Sequence, residues 1–351
     1  MKWSRRRIIV TGGAGFIGGA LVDRLLTLGA DVTVVDKALF PEESRIWLAK
    51  LNRLDNIYKK HGLNNIQIQA IDLSTQRDRF RLLAESHDVV FHLSAVFGGR
   101  EFVDIHQSEC SEMLSIDHNV ICESYEAGIE HIHYSSSACV YAPSLNKPGY
   151  LLKEDDILST GENWKSSDNL YGFAKLLGEM QLLAFHKEHD LKSSASRYLT
   201  VYGPGELDAS HAIAALIEKA LDNQDPYVVW GSGKQERGFT YVDDIVRGTV
   251  ACAENIQDGT PVNLGWDERY TIEEVAKLIL AISGHAPKQI QFDRSKPEGP
   301  FSRALEISRA KRMLGWQPQI SLKEGLERTI QWHSEMRKNI AHPLELEIAS
   351  T

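Results

Sequence analysis

Tyr171 and Lys175 stand at positions i and i+4 of Tyr171-Gly172-Phe173-Ala174-Lys175, at the start of a long helical pattern. That spacing puts a phenol and an ammonium on one helix face. A free phenol ionises at about pH 10, too high for a base at neutral pH. A neighbouring positive charge favours the phenolate and lowers that value. Tyr171 can then exchange a proton with a carbinol oxygen while hydride leaves or rejoins its carbon. Ser137, last of Ser135-Ser136-Ser137 after an apolar run, can hydrogen-bond the same oxygen. A Tyr and a Lys at this spacing also occur as a plain surface pair. The serines, and a glycine loop upstream of them, make that the poorer reading.

The loop is Thr11-Gly12-Gly13-Ala14-Gly15-Phe16-Ile17-Gly18. Gly12, Gly15 and Gly18 lie between a predicted strand and a predicted helix near the N-terminus. In that context glycines permit a tight turn and close approach of backbone to a pyrophosphate. The helix opens at Phe16 and Ile17, so free N–H groups and the positive dipole end face the phosphates. Asp36 ends the second strand, where a carboxylate can hydrogen-bond a ribose 2′-hydroxyl and repel a 2′-phosphate. The expected cofactor is therefore NAD rather than NADP, with Lys37 softening the preference. A strand-end turn is the alternative role for Asp36. Asp72 and Leu73 follow the third strand, where either an adenine contact or an Asx-type turn fits.

Positioning these residues requires strands and helices in alternation. Ile8–Thr11, Val32–Val35, Ile66–Ile71, Val89–Leu93 and Ile132–Ser135 read as buried strands. The helix between the first two places Ile17, Leu21, Leu25 and Leu28 on one face and stops at Gly29. This rhythm predicts an α/β fold, a doubly wound parallel (Rossmann) sheet with right-handed crossovers. The second half is punctuated by Gly and Pro, with capping boxes at Thr271/Glu274 and Ser321/Glu324. It reads as a smaller mixed α/β lobe. The expected division is a dinucleotide-binding domain over 1–190, with a return near 236–254, a substrate lobe over 191–335, and a loosely ordered tail over 336–351.

Composition narrows the class. The chain has 351 residues, 42% apolar and 25% charged, the balance of an ordinary globular protein. Its net charge of −9 argues against a nucleic-acid partner. A phosphorylated substrate would then need local Arg or Lys clusters. No apolar run is long enough to span a bilayer. The basic start, Met1–Arg7, is followed by Ile8-Ile9-Val10 and broken at once by Thr11-Gly12-Gly13, which leaves no signal-peptide core. A cytoplasmic protein with no membrane partner is expected. Cys110, Cys122, Cys139 and Cys252 form no CxxC pair. His131 and His133 alternate on one strand, read as a partly exposed strand end, and no metal site is expected.

TGGAGFIG, SSSACVY, YGFAK, Arg197–Pro204 and Arg237–Asp244 occur in the order found in extended short-chain dehydrogenases/reductases. The chain resembles that family from about Arg7 to about Trp332. The resemblance implies an NAD-dependent enzyme of nucleotide sugars with Ser137, Tyr171 and Lys175 catalytic. It also implies a homodimer through helices near 112–127 and 171–188. Within the family, Ser137-Ala138-Cys139-Val140-Tyr141 is similar to the motifs of GDP-mannose 3,5-epimerases and GDP-fucose synthases. That likeness implies an acid/base role for Cys139 beside the sugar. Ser210–Leu216 resembles the synthase segment whose histidine is the second acid/base group, which implies the same for His211. Phe97-Gly98-Gly99 resembles the glycine pair near the hexose, so Gly98 and Gly99 are expected there. Val229–Gly233 and Lys296–Pro300 resemble segments that hold GDP. Trp230 and Lys296 are thereby implied at the nucleotide, and Arg237 at the diphosphate with Lys219 assisting. Thr200 departs from the usual Asn, Glu101 is an unexpected charge, and the loop between Pro204 and His211 is shorter than in the synthases.

Oxidising C4 of a hexose to a ketone acidifies the hydrogens on C3 and C5. Thiols and imidazoles, with reference pKa values of about 8.5 and 6.5, both move protons near neutrality. The expectation is a GDP-mannose 3,5-epimerase-like enzyme that binds a GDP-hexose and inverts C3, C5 or both through Cys139 and His211. Three alternatives stand beside it. One is a GDP-fucose-synthase-like epimerase-reductase. Another is a C4 oxidoreductase or 4-epimerase in which Cys139 only packs. The last is a non-catalytic NAD-sensing protein.

Overall fold

The computed structural model describes residues 3–37, 45–62, 64–96, 98–159, 167–206, 210–296 and 298–341. Phe97 and Pro297, in two motifs named above, lie outside the described residues.

Continuous apolar runs become strands covered on both faces. The first half runs β1 (Arg7–Thr11), α1 (Phe16–Thr27), β2 (Asp31–Val35), α2 (Arg45–His61), β3 (Ile66–Gln69), α3 (Arg77–Ala84) and β4 (Val89–His92). It continues with α4 (Arg100–Ile105), α5 (Gln107–Cys110), α6 (Glu112–Glu126), β5 (His131–Ser137), α7 (Asp156–Ser159) and α8 (Asn169–His189). Then follow β6 (Ser193–Tyr198), β7 (Val201–Tyr202), α9 (Ala212–Leu221), β8 (Tyr227–Trp230), β9 (Glu236–Arg237), β10 (Thr240–Tyr241), α10 (Val242–Asn255) and β11 (Asp258–Leu264). The chain closes with β12 (Tyr270–Thr271), α11 (Ile272–Ser283), β13 (Ile290–Asp293), β14 (Ser302–Arg303), α12 (Ser308–Leu314) and α13 (Leu322–Ala341).

Among the described residues the main sheet has seven strands in the order β11-β6-β5-β4-β1-β2-β3, all parallel. Strand alternation splits the core in two. Ile8, Val10, Val32 and Val34 pack on one face with Leu21, Val22 and Leu25 of α1. Ile9, Val35 and Val90 pack on the other with Phe80, Ile116, Val120 and Leu182. Chain order reverses between β1 and β4, and ligands bind open α/β sheets at the strand ends beside such a point. Ser137, the Gly12 turn and Asp36 all sit at those ends.

The expected boundary at 190 falls between α8 and β6, and two strands beyond it, β6 and β11, belong to the main sheet. The smaller sheets β12-β9-β14 and β13-β8 stand with α9 and α11 over the rest of the second half. Thr271 and Glu274 form the full reciprocal capping box that opens α11. At α13 the Ser321 hydroxyl accepts from Glu324 N at 3.3 Å, while the Glu324 carboxylate pairs with Arg328. Helix α13 runs through 336–341, where a loose tail was expected. His131 and His133 are fully buried rather than at an exposed strand end. Each ring meets the Ser194 hydroxyl of β6, at 3.0 and 2.9 Å.

Candidate active site

The loop between β1 and α1 is built for close approach. Gly12 takes φ +67°, and a Cβ there would lie 2.9 Å from Ser94 N. A Cβ on Gly18 would lie 2.1 Å from the Gly12 carbonyl oxygen, so only glycine lets the helix start so near the turn. No side chain caps the first turn of α1 and no acid stands in it. Phe16 and Ile17 therefore open a helix end suited to a pyrophosphate. Asp36 is buried at the end of β2 and accepts from Lys50 at 3.2 Å. The cation that meets it is thus Lys50 of α2, while Lys37 reaches toward Glu112 at 3.8 Å. A carboxylate at a strand end of this kind is placed to accept from a ribose hydroxyl. Asp72 makes the Asx turn: its Oδ1 accepts from Ser74 N at 2.9 Å and from the Ser74 hydroxyl at 2.6 Å. Glycine cradle, open helix end and buried strand-end carboxylate together fit a dinucleotide.

Arg53 of α2 ties this loop to another. Its guanidinium donates to the Ala14 and Gly205 carbonyls, and Gly19 leaves the space its stem fills.

Ser137 ends β5, and its hydroxyl accepts from Cys139 N at 3.2 Å as the chain enters the turn 138–140. Helix α8 presses on that turn so closely that a Cβ on Gly172 would lie 2.0 Å from the Cys139 carbonyl oxygen. The Tyr171 phenol lies beside Ser137 there. Burial pushes its phenol above the usual range, the Cys139 sulfur adds to the push, and Ser137 pulls the other way. Lys175, one turn further along α8, points down into the sheet. Its Nζ donates to the Ser135 carbonyl at 2.8 Å and lies 4.7 Å from the Tyr134 ring centroid. Burial lowers the ammonium below the ordinary lysine range, against the pull of Asp117 and Glu179. Asp117 in turn accepts from Tyr134 at 2.6 Å and meets His92 at 3.0 Å. The other nitrogen of His92 reaches Thr11 of β1 at 2.7 Å.

Cys139 is partly exposed, and its Sγ lies 3.6 Å from Nη1 of Arg303. Arg303 also donates to Asp168 at 2.7 Å. Arg100 meets the same carboxylate at 2.9 Å, and the two guanidiniums hold Asp168 below the usual carboxylate range against its burial. Arg237, in register with Arg303 on β9 and β14, is a third cation nearby. Burial, with Arg303 and Arg100 close by, pulls it down to about 10. Such a guanidinium favours an anion beside it.

Gly99 N donates to the Ser210 hydroxyl at 2.7 Å, and a Cβ on Gly99 would lie 2.3 Å from the Ser210 carbonyl oxygen. Gly99 is therefore packed against the residue before His211, while Gly98 faces the Phe102 ring. His211 is the N-cap residue of α9, half-buried, with Nδ1 on the Glu206 carboxylate. Trp230 is exposed at the end of β8, with Lys296 Nζ 5.0 Å and Lys219 Nζ 5.6 Å from its ring centroid. Lys219 donates to the Val228 carbonyl at 2.7 Å, which holds it beside Trp230. Glu101 is exposed in the first turn of α4. Thr200, in the place of an Asn, holds the left-handed φ of +39° that Asn tolerates better. Sequence reasoning missed Arg53, Arg100, Asp168, Glu206 and Arg303 as members of this cluster. The alignment of Arg303 with Arg237 exists only in the sheet.

Among the described residues, no group of three or more His, Cys, Asp or Glu side chains comes together in a way that could hold a metal ion, and no helix is long and apolar enough to cross a membrane.

Residues 8–265 match the family model described as the NAD dependent epimerase/dehydratase family. The chain is 31% identical to a dTDP-4-dehydro-6-deoxy-D-allose reductase of Streptomyces bikiniensis over 336 residues, 94% of this chain and 97% of the relative. It is 28% identical to the GDP-mannose 3,5-epimerase of Arabidopsis thaliana over 337 residues, 94% of this chain and 82% of the relative. Among solved structures, UDP-glucuronic acid 4-epimerase from Bacillus cereus, in complex with UDP-glucuronic acid and NAD, superposes with a TM-score of 0.78. That likeness covers 94% of this chain and 99% of the other at 25% identity.

Proposed function

The chain belongs to the NAD dependent epimerase/dehydratase family, and from that premise we propose that it epimerises GDP-mannose or a close GDP-hexose at C3, C5 or both. NAD, held by Gly12, Gly15, Phe16, Ile17, Gly18, Asp36 and the Asp72–Leu73 turn, supplies when bound a hydride acceptor and donor for C4 and a positive ring charge. Tyr171 takes the proton of the C4 hydroxyl, and Ser137 hydrogen-bonds that oxygen. Lys175 keeps a positive charge beneath them. With C4 a ketone, Cys139 and His211 move protons on opposite faces of C3 and C5. Arg237 holds the diphosphate, Trp230 and Lys296 hold the base, and the Gly98–Gly99 backbone borders the hexose.

What supports this reading most is the Cys139 sulfur, partly exposed, 3.6 Å from the Arg303 guanidinium and close enough to raise Tyr171. The free thiols of Cys110, Cys122, Cys139 and Cys252 support a reducing compartment, the cytoplasm. We further read the protein as a homodimer through α6 and α8. The test is NMR of GDP-mannose incubated with the protein in deuterated water without added reductant. Deuterium at C3 or C5 is expected, and its absence with every GDP-hexose offered overturns the reading.

A second reading, an epimerase-reductase of a 4-keto sugar, draws support from the 31% identity to the Streptomyces reductase. Steady oxidation of added NADPH in the presence of a GDP- or dTDP-linked 4-keto sugar would decide for it.

A further inference from the structure

Gly19 lies in α1, one residue past the glycines of the turn, where alanine is the better helix former. The space it leaves is taken: a Cβ there would lie 2.1 Å from Cδ of Arg53. We propose that Arg53 is a positioning residue for NAD, holding the β1–α1 turn in the shape that receives the pyrophosphate and tying it to the turn at Gly205. This rests on the reading of the Gly12–Gly18 turn as the pyrophosphate site.

The peptide unit between Ala14 and Gly15 is held at both ends. Its carbonyl accepts from Arg53, and its N–H donates to the Gly12 carbonyl at 2.9 Å. A peptide unit is planar, so fixing both ends fixes the direction in which the chain enters α1. The next N–H groups, those of Phe16 and Ile17, belong to the uncapped first turn of that helix. The other branch of the guanidinium donates to the Gly205 carbonyl. Gly205 takes φ +98°, and a Cβ on it would lie 3.2 Å from Nε of Arg53 and 3.5 Å from Phe16. The guanidinium thus lies over a second glycine turn, with the first residue of α1 beside it. Donors fixed in advance spare binding the cost of ordering them.

The task suits a guanidinium. Its planar fork reaches two carbonyls with one rigid group, whereas an ammonium is a single point on a flexible stem. Burial pulls Arg53 down to about 10, against the pull of Asp36, which leaves it a cation at neutral pH. A cation beside the turn also favours a pyrophosphate there.

The experiment measures binding of NAD, ADP-ribose and adenosine to the full-length protein without sugar, by calorimetry for the first two and ligand-detected NMR for the nucleoside. Arg53→Met keeps a stem and removes the fork. NAD and ADP-ribose are expected to bind about tenfold or more weakly, the scale of a lost hydrogen bond to a charged group. Adenosine, which has no phosphate, should bind as it does to the parent. Arg53→Lys should lose most of the same affinity although it keeps the charge. Gly19→Ala should weaken NAD as well, although alanine suits the helix better, because its Cβ displaces the Arg53 stem. These two variants decide the matter if Arg53→Met does not fold. Parent-like NAD affinity in the Met or Lys variant overturns the proposal. So does an equal loss for adenosine, which would make Arg53 a support of the fold alone. The reading of the turn fails separately, if the parent binds adenosine as tightly as ADP-ribose.

Discussion

Lys175 donates to the Ser135 carbonyl rather than to the Tyr171 hydroxyl, so the ammonium acts on the phenol through the field and not through contact. Its countercharges, Asp117 and Glu179, are themselves engaged: Asp117 with Tyr134 and His92, Glu179 with Arg197 at 2.7 Å. Burial gives the largest push on the phenol, and the nearby Asp117 charge adds to it. A second positive charge at the nicotinamide position has to bring it down. Binding of NAD is expected to shift the near-ultraviolet phenolate titration of one tyrosine to lower pH, because the oxidised ring is cationic and favours the phenolate. NADH, with a neutral ring, should leave it in place. Tyr171→Phe should abolish the NAD-induced difference while retaining nucleotide binding. Equal shifts with both nucleotides would refute the argument. At this scale the sequence was readable wherever the partners are local. The Tyr–Lys spacing and the glycine turn are set within a few residues. The Arg100–Asp168–Arg303 bridge joins three distant stretches, and no local pattern announces it.

Strands show why some elements were legible and others were not. The five strands read as apolar runs appear where expected, with ends moved by one or two residues, as at β5, which starts at His131 and runs to Ser137. β6 was passed over because Ser193–Tyr198 reads as polar, yet all six residues are buried. Part of its polarity is satisfied sideways, Ser194 by the two histidines of β5 and Arg197 by Glu179. β11 was hidden by Gly259 and Pro261, but it lies at the sheet edge, where proline is tolerated. The β5–β6 pairing carries a cost in acid. Burial lowers His131 to about 4 and His133 to about 3, while unfolded histidine titrates near about 6.5. Between those values the unfolded chain binds more protons than the native one, so stability falls as pH drops from about 6.5 toward 4. Each histidine contributes a slope of about 1.4 kcal/mol per pH unit at most. Urea midpoints at pH 7 and pH 5 should differ less in a His131→Gln, His133→Gln double variant than in the parent. An equal difference would mean that other groups set the acid sensitivity.

The whole molecule carries a net charge of −9, so the anionic substrate has to be met by a local field. Arg237 and Arg303, in register on β9 and β14, are two of its cations, and Lys219 and Lys296 flank the Trp230 ring. Helix α8 has one buried and one open face. Its inner face carries Tyr171 and Lys175, and its outer face exposes Phe173, Met180 and Leu183, at 36, 55 and 42%. These three fall along one stripe of the helix. Large apolar side chains repeated on one stripe mark an interaction surface more readily than singly scattered ones. A second copy of the chain would bury them against the same stripe in a two-fold arrangement, since an isologous interface uses one patch twice. The expected mass in solution is then twice the 39.4 kDa of one chain. Met180→Glu with Leu183→Glu places like charges opposite one another across the two-fold axis and should return the protein to a single chain in light scattering. Both positions are solvent-facing on the outer stripe, so the fold should persist, with nucleotide-induced thermal stabilisation retained. A parent protein that already scatters as one chain at micromolar concentration would remove α8 from the assembly and leave its outer stripe as ordinary surface.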